Sequence, residues 1–257
     1  PIYRRCRMSR DAKAGLSTKR LNEALLRPGD IVLTTTKSAV STAIRRATRS
    51  DISHAMVYVE DRSVIDATDE GVQARNTQRL MIEEACPVHV LRLRTGISAE
   101  QLAAVRTFLR GHIGTRYSKK EAVLAGLGGA QSWTRQQFCS RLVAQSFQAA
   151  DIQLVSDANY CSPADLKASP HLEAIPNPTL PMPPEEAAAW DGRVDVPQLM
   201  RDAINALLSG ARSRHASIET FDDLHAHLIA HPDQDEEMCL LLDTSWSAPI
   251  EVVRSLV

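Results

Sequence analysis

The chain has 257 residues, 44% of them hydrophobic and 24% charged, with a net charge of −1. That balance is ordinary for a globular protein and long enough for one full core plus an appendage. No apolar run approaches the ~20 residues a membrane helix needs, and five widely spaced cysteines (Cys6, Cys86, Cys139, Cys161, Cys239) lack CxxC or Cys/His metal spacing, which speaks for free thiols and against a disulfide scaffold or metal site.

Residues 1–16 lack periodicity and read as a basic, loosely held arm. The first twenty residues carry seven basic side chains (Arg4, Arg5, Arg7, Arg10, Lys13, Lys19, Arg20) against Asp11. Such an arm can meet an anionic membrane surface, although most charged ends are simply solvated. No nucleic-acid partner is expected. The arm has no apolar h-region, so no signal peptide is expected, and delivery or secretion by a non-Sec route is left open.

Ser17 or Thr18 can cap a short helix through Leu21, Ala24 and Leu25, ended by Pro28-Gly29. Asp30 to Thr35 is rich in β-branched residues and predicts a strand. Val40, Ile44 and Ala47 space a short amphipathic helix over 38–48. Ser53 to Glu60 predicts a second strand, Asp61-Arg62 a turn, and Ser63 to Ala67 the returning strand of a hairpin. His89 to Leu93 alternates as a further strand. Ser98 with Gln101 forms a capping box opening a helix with Leu102, Val105, Phe108 and Leu109 on one face. A small apolar segment, 122–129, is either a short packed helix or a flap. Leu142, Val143, Phe147 and Ala150 then follow Cys139 at helical spacing. Residues 161–166 start one more helical turn. Five prolines between 176 and 184 predict an extended, semi-rigid linker. Residues 185–257 are helical and acidic, with fourteen acidic side chains against five arginines, and are expected to dock on the main domain or on a partner or inhibitor protein.

Cys139 stands where a loop gives way to a helix. Unpaired N–H groups and the positive end of the macrodipole there favour thiolate over thiol, the placement a nucleophile needs; a buried structural thiol is the bland alternative. A base must lie within reach, with a third group to fix its tautomer. His54 opens a strand, at a sheet end where a side chain can face a cleft. His89 and His112 lie near no polar cluster or at a helix end. His225, His227 and His231 lack a metal-ligand pattern and read as surface histidines. Asp66, between Ile65 and Ala67, is an unusual carboxylate in an apolar strand and wants a partner. If the hairpin centres near residue 60, it sits opposite His54, with Cβ atoms about 4.5–5.5 Å apart.

The order Gly29-Asp30-Ile31-Val32, Ser53-His54-Ala55, Val64-Ile65-Asp66-Ala67, Phe138-Cys139-Ser140-Arg141-Leu142-Val143 and Ser162-Pro163-Ala164-Asp165-Leu166 resembles the YiiX/YebB-like branch of the permuted NlpC/P60 hydrolases. These are papain-like cysteine enzymes that share their strand-before-cysteine order with lecithin:retinol acyltransferase-like proteins. The match spans about residues 28–168. It implies an α+β, circularly permuted papain-like fold, an antiparallel sheet packed on the cysteine-bearing helix, as a catalytic domain over 28–175. The chain's own patterning sets around it a basic arm and short helix over 1–27, a linker over 176–184 and a C-terminal helical appendage, the acidic extension over 185–257, which nothing in the resemblance covers.

The resemblance implies Cys139 as nucleophile, His54 as general base and acid, and Asp66 as orienting group, with no metal or organic cofactor. The Cys139 N–H, with the Tyr117 hydroxyl or Gln137 amide, would hold the oxyanion, and Ser53 would line the substrate site. Relatives often carry Asp after the tyrosine and Glu two residues after the cysteine; this chain has Ser118 and Arg141. The expected chemistry is acyl transfer through a thioester, on an acyl lipid or on a cell-wall peptide amide, the lipid being favoured. A toxin or effector setting, and a non-catalytic partner-binding module, are the rival expectations.

Overall fold

A computed structural model describes residues 17–35, 42–43, 45–46, 49–68, 70–116, 138–191, 193–218 and 221–231. Among them nine strands form in chain order: β1 (Thr18–Leu21), β2 (Ile31–Thr34), β3 (His54–Glu60), β4 (Ser63–Thr68), β5 (Gly71–Asn76), β6 (Ile82–Glu83), β7 (Val88–Leu93), β8 (Leu172–Ile175) and β9 (Thr179–Met182). The described helices are α1 (Ala99–Gly111), α2 (Cys139–Gln148), α3 (Pro163–Lys167), α4 (Pro184–Asp191), α5 (Val196–Arg214) and α6 (Phe221–Ala230).

The six-stranded sheet runs β5-β4-β3-β2-β7-β8, antiparallel throughout. Alternation along its strands sorts side chains to two faces. Ile31, Leu33, Ala55, Val57, Ile65 and Ala67 turn to one face and pack with Cys139, Leu142, Val143 and Phe147 of α2 and Val105 and Leu109 of α1. Val32, Met56, Tyr58, Val64 and Val90 turn to the other and meet Leu21, Leu26 and Ile82. The chain is therefore layered, with helices on one side of the sheet and a three-stranded sheet, β6-β1-β9, on the other.

That second sheet corrects two expectations. Thr18–Leu21 is a strand, not the start of a helix, and pairs with both β6 and β9. An isolated helix this short is marginal, whereas pairing satisfies the backbone and buries Leu21 to 1% exposure. The proline-rich run, expected as an extended linker, carries β9 within it. Pro181 sits opposite Lys19, on an edge strand where a missing N–H is tolerated. Strands β5, β6 and β8 had no counterpart among the elements expected from the sequence. The helix expected over 38–48 lies largely, and the segment 122–129 wholly, outside the described residues.

Among the described residues the ladder continues past β5 without a tenth strand. Val72 N–H donates to the Thr115 carbonyl at 2.9 Å and Gly114 N–H to the Val72 carbonyl at 2.9 Å. Gly71 has φ +100°, and a Cβ there would stand 2.6 Å from the Thr115 oxygen, so only glycine lets the loop approach. Helix α5 covers this edge. Arg201 pairs with Glu70 at 3.2 Å and Arg212 donates to the Gly114 carbonyl at 2.7 Å. The helices keep a small core of their own, with Leu207, Leu208, Ala211, Ile218 and Leu224 buried together. At the start of β2 the buried Asp30 carboxylate takes both Arg92 Nε (2.8 Å) and Nη2 (2.7 Å), a bidentate pair.

Candidate active site

Helix α2 begins at Cys139 because Phe138 is extended (φ −128°, ψ 159°) while the residues after it bury an apolar stripe. The first amides of a helix have no intrahelical acceptor, and Phe138 supplies no capping side chain. The N-terminus of α2 therefore directs its partial positive charge at the Cys139 thiol without a competing carboxylate or hydroxyl at the cap. Ser140 anchors the turn by donating its hydroxyl to the Cys161 carbonyl at 2.7 Å. The Cys139 thiol points at the Ser53 carbonyl, 3.9 Å away.

That contact places the thiol at the entry of β3, whose first residue is His54. His54 Nε2 lies 2.8 Å from Asp66 Oδ2. The Cys139 side chain lies close enough to the ring to favour its charged form. The bond to Asp66 orients the ring toward the thiol. Cys139, His54 and Asp66 thus come together from three separate stretches of chain.

The register that aligns His54 with Asp66 depends on a bulge. Asp61 (φ 44°) and Arg62 (φ 60°) form the two-residue turn, with both central residues left-handed as a type I′ hairpin requires. Glu60 then faces Ser63, but Tyr58 faces Val64, so Val59 is an extra residue on β3. Without it Val57 would oppose Asp66, and His54 would lie on the opposite face of the sheet. With it Met56 opposes Asp66, and His54 reaches the carboxylate diagonally. This corrects the direct 54–66 pairing expected from a turn centred near residue 60. The freed Val59 carbonyl is taken by Arg106 of α1, through Nε at 3.1 Å and Nη2 at 2.8 Å.

The electrostatics follow from the contacts. Burial of the His54 ring works against its charge. The hydrogen bond to Asp66, the bond and charge of Cys139, and the charge of Asp66 outweigh burial and push the imidazolium up to about 10. Burial likewise opposes ionisation of Asp66, which is 0% exposed, but the charge of Arg75 and the bond and charge of His54 hold it below the usual carboxylate range. Arg75 Nη1 sits 3.0 Å from the same Oδ2 that takes His54. Sequence reasoning missed Arg75 because β5 went unseen; its alternation with Gln73 across from Asp66 and Val64 was the available signal.

Cys161 lies nearby, but burial, helped by the charges of Asp165 and Cys139, pushes its thiol well above the ordinary range. It is thereby held as a thiol. Ser53 is buried, its hydroxyl 2.9 Å from that of Thr35 and its carbonyl against the Cys139 thiol. Tyr117 and Gln137 lie outside the described residues. The His227 ring lies tilted against those of His215 and His231, with centroids 4.2 and 4.8 Å apart. Among the described residues no group of three or more His, Cys, Asp or Glu is placed to hold a metal ion, and no helix is long and apolar enough to cross a membrane.

Residues 25–201 match the family described as permuted papain-like amidase enzymes, YaeF/YiiX, C92 family. Among curated proteins the chain is similar to the "Probable lipoprotein peptidase YaeF" of Escherichia coli (strain K12), with 25% identity over 185 residues, 58% of this chain and 66% of that protein. The chain thus spans just under two thirds of that relative's length. Among solved structures it is similar to that of the metalloprotein YiiX from Escherichia coli O157:H7, at 21% identity and a TM-score of 0.49, covering 59% of this chain and 97% of that one.

Proposed function

The chain belongs to the permuted papain-like amidase family, and from that premise we propose that it is a cysteine hydrolase in which Cys139 is the nucleophile, His54 the general base and acid, and Asp66 the orienting group. One observation carries this reading above the rest: His54 gives Nε2 to Asp66 at 2.8 Å, while the Cys139 thiol stands 3.9 Å from the carbonyl of the preceding residue, Ser53, at a helix start without a capping side chain.

The thiolate of Cys139 attacks an acyl carbonyl and forms a tetrahedral oxyanion. The Cys139 N–H at the positive end of α2 faces that oxygen, with Tyr117 or Gln137 as the second donor. His54, held as imidazolium, passes its proton to the departing atom. An amine leaves far more readily once protonated, so an imidazolium held near 10 suits an amide as well as an ester. The C–N or C–O bond breaks and a thioester remains on Cys139. Water, deprotonated by the now neutral His54, attacks the thioester and restores the thiolate–imidazolium pair. Asp66 keeps the ring oriented throughout.

The substrate class proposed is an acyl amide or ester borne on a lipid, with kinship to the NlpC/P60 and acyltransferase-like enzymes. The family's description as amidases favours a second reading, a cell-wall peptide amide. Purified protein and Cys139→Ala are incubated with phospholipid vesicles, with N-acylated lipid and with muropeptides, and products are read by mass spectrometry. The proposal expects released fatty acid or lysolipid that disappears in Cys139→Ala. Cleaved muropeptide alone would move the assignment to the peptide reading, and equal turnover by Cys139→Ala would overturn the mechanism.

A further inference from the structure

The Asp66 carboxylate is more tightly governed than a triad alone requires. It is fully buried, and its Oδ2 is shared by His54 Nε2 at 2.8 Å and Arg75 Nη1 at 3.0 Å. Its Oδ1 is also buried and has no hydrogen-bond partner among the described residues. A buried carboxylate oxygen left without a donor is costly, so a donor is to be sought beside it. Directly across the β4–β5 ladder stands Gln73, 2% exposed. Opposed residues share a face, with Cβ atoms about 4.5–5.5 Å apart. Gln73 Oε1 is likewise buried and unpartnered among the described residues, while its Nε2 meets the Thr68 hydroxyl at 2.6 Å.

One change satisfies both orphans. An amide's oxygen and nitrogen occupy near-equivalent positions. Turned over, Gln73 accepts from the Thr68 hydroxyl through Oε1 and presents Nε2 to the face it shares with Asp66. Thr68 then donates to Gln73 and still accepts the Glu70 N–H, which lies 3.3 Å away. Every partner keeps a bond that its chemistry allows.

We propose that Arg75 and Gln73 are positioning residues for the Cys139–His54 pair, acting through Asp66: the Arg75 guanidinium holds Oδ2 and the Gln73 amide holds Oδ1. Neither touches the reacting atoms. Arg75 stands in the row of β5 two residues from Gln73, so one strand supplies both clamps. Its guanidinium keeps the carboxylate ionised, and the amide fixes its plane, so that the oxygen facing His54 does not turn away. This inference rests on the triad reading above and adds to it two groups from a strand that lies outside the triad.

The test follows the His54 imidazolium by ring NMR against pH in the whole chain. Melting temperature is measured alongside, with turnover of phospholipid vesicles and of muropeptides. Arg75→Met removes a cation, which raises the proton affinity of every neighbouring group, so the imidazolium midpoint moves up by about one pH unit. Arg75→Lys keeps the charge and restores most of the midpoint. Gln73→Glu preserves size but sets a second carboxylate against Asp66; the midpoint again moves up by about one pH unit or more, and turnover falls at least about tenfold, as loss of a hydrogen bond to a charged group would give. Variants that melt lower yet titrate as the parent does would reduce Arg75 and Gln73 to structural residues and overturn the proposal. A Cys139→Ala chain that turns over substrate at the parent rate would instead overturn the triad reading on which it rests.

Discussion

Replacing Asp66 by Asn tests the charge arrangement at its centre. Asn keeps the shape and an oxygen that accepts from His54 Nε2, but removes the anion. His54 is held up to about 10 against an ordinary 6.5, with Asp66 contributing a hydrogen bond and a charge. Unit charges about 4–5 Å apart interact by roughly 3–4 kcal/mol at an effective dielectric near 20. Arg75, which binds the same oxygen, repels the imidazolium equally in both proteins and so cancels from the difference, leaving the full ~3–4 kcal/mol, or about two to three pH units. The sign is fixed, since losing an anion disfavours the neighbouring cation. The imidazolium of Asp66→Asn is therefore expected to titrate about two units lower than the parent's. Its ring resonances are followed by NMR across pH 5 to ~11, with circular dichroism to verify the fold. A midpoint unmoved or raised would refute the reasoning. The direction is opposite to that expected for Arg75→Met, so the two variants together separate a charge network from a loosened pocket.

Three further outcomes follow from the packing. Phe147→Ala in α2, at a side chain 1% exposed, should cost about 3–5 kcal/mol in denaturant unfolding. Asp30→Ala breaks the buried bidentate pair with Arg92 and should lose about 2–4 kcal/mol by the same assay. Arg106→Leu strips the donors from the Val59 carbonyl at the bulge. It should lower stability by about 1–3 kcal/mol and weaken the His54–Asp66 contact, seen as a lower imidazolium midpoint.

The elements that position the thiol were legible because their signals are local. Leu142, Val143 and Phe147 announce α2 through helical spacing, and Ser98 with Gln101 announces α1 through a capping box whose two reciprocal bonds are both present at the helix N-terminus. Strands β3 and β4 carry dense β-branched runs around a two-residue turn. The sheet's far edge was not legible. In β5 a buried glutamine and a partly exposed arginine replace the expected apolar alternation, so Gln73 and Arg75 passed unseen. Thr18–Leu21 offered too few residues to separate period 3.6 from period 2, and its pairing partners lie at 82–83 and 179–182, beyond any window. The prolines near β9 pointed correctly to extended chain but carried no sign of its partner. The bulge at Val59 was the subtlest omission. Parity counting brought His54 and Asp66 to one face from a turn centre one residue off, and the real register reaches the same face by inserting a residue that Arg106 holds from another element.

Direct capture of the covalent intermediate tests the central claim most closely. The parent chain is mixed with acyl amide and acyl ester lipids, quenched in acid within the first turnovers, digested and read by mass spectrometry. An acyl group attached as a thioester to the peptide bearing Cys139, absent from Cys139→Ala and accumulating when His54 is replaced by a non-basic residue in the presence of an activated ester, is the result expected. Turnover at the parent rate by Cys139→Ala, or an acyl group lodged on a different residue, would contradict it.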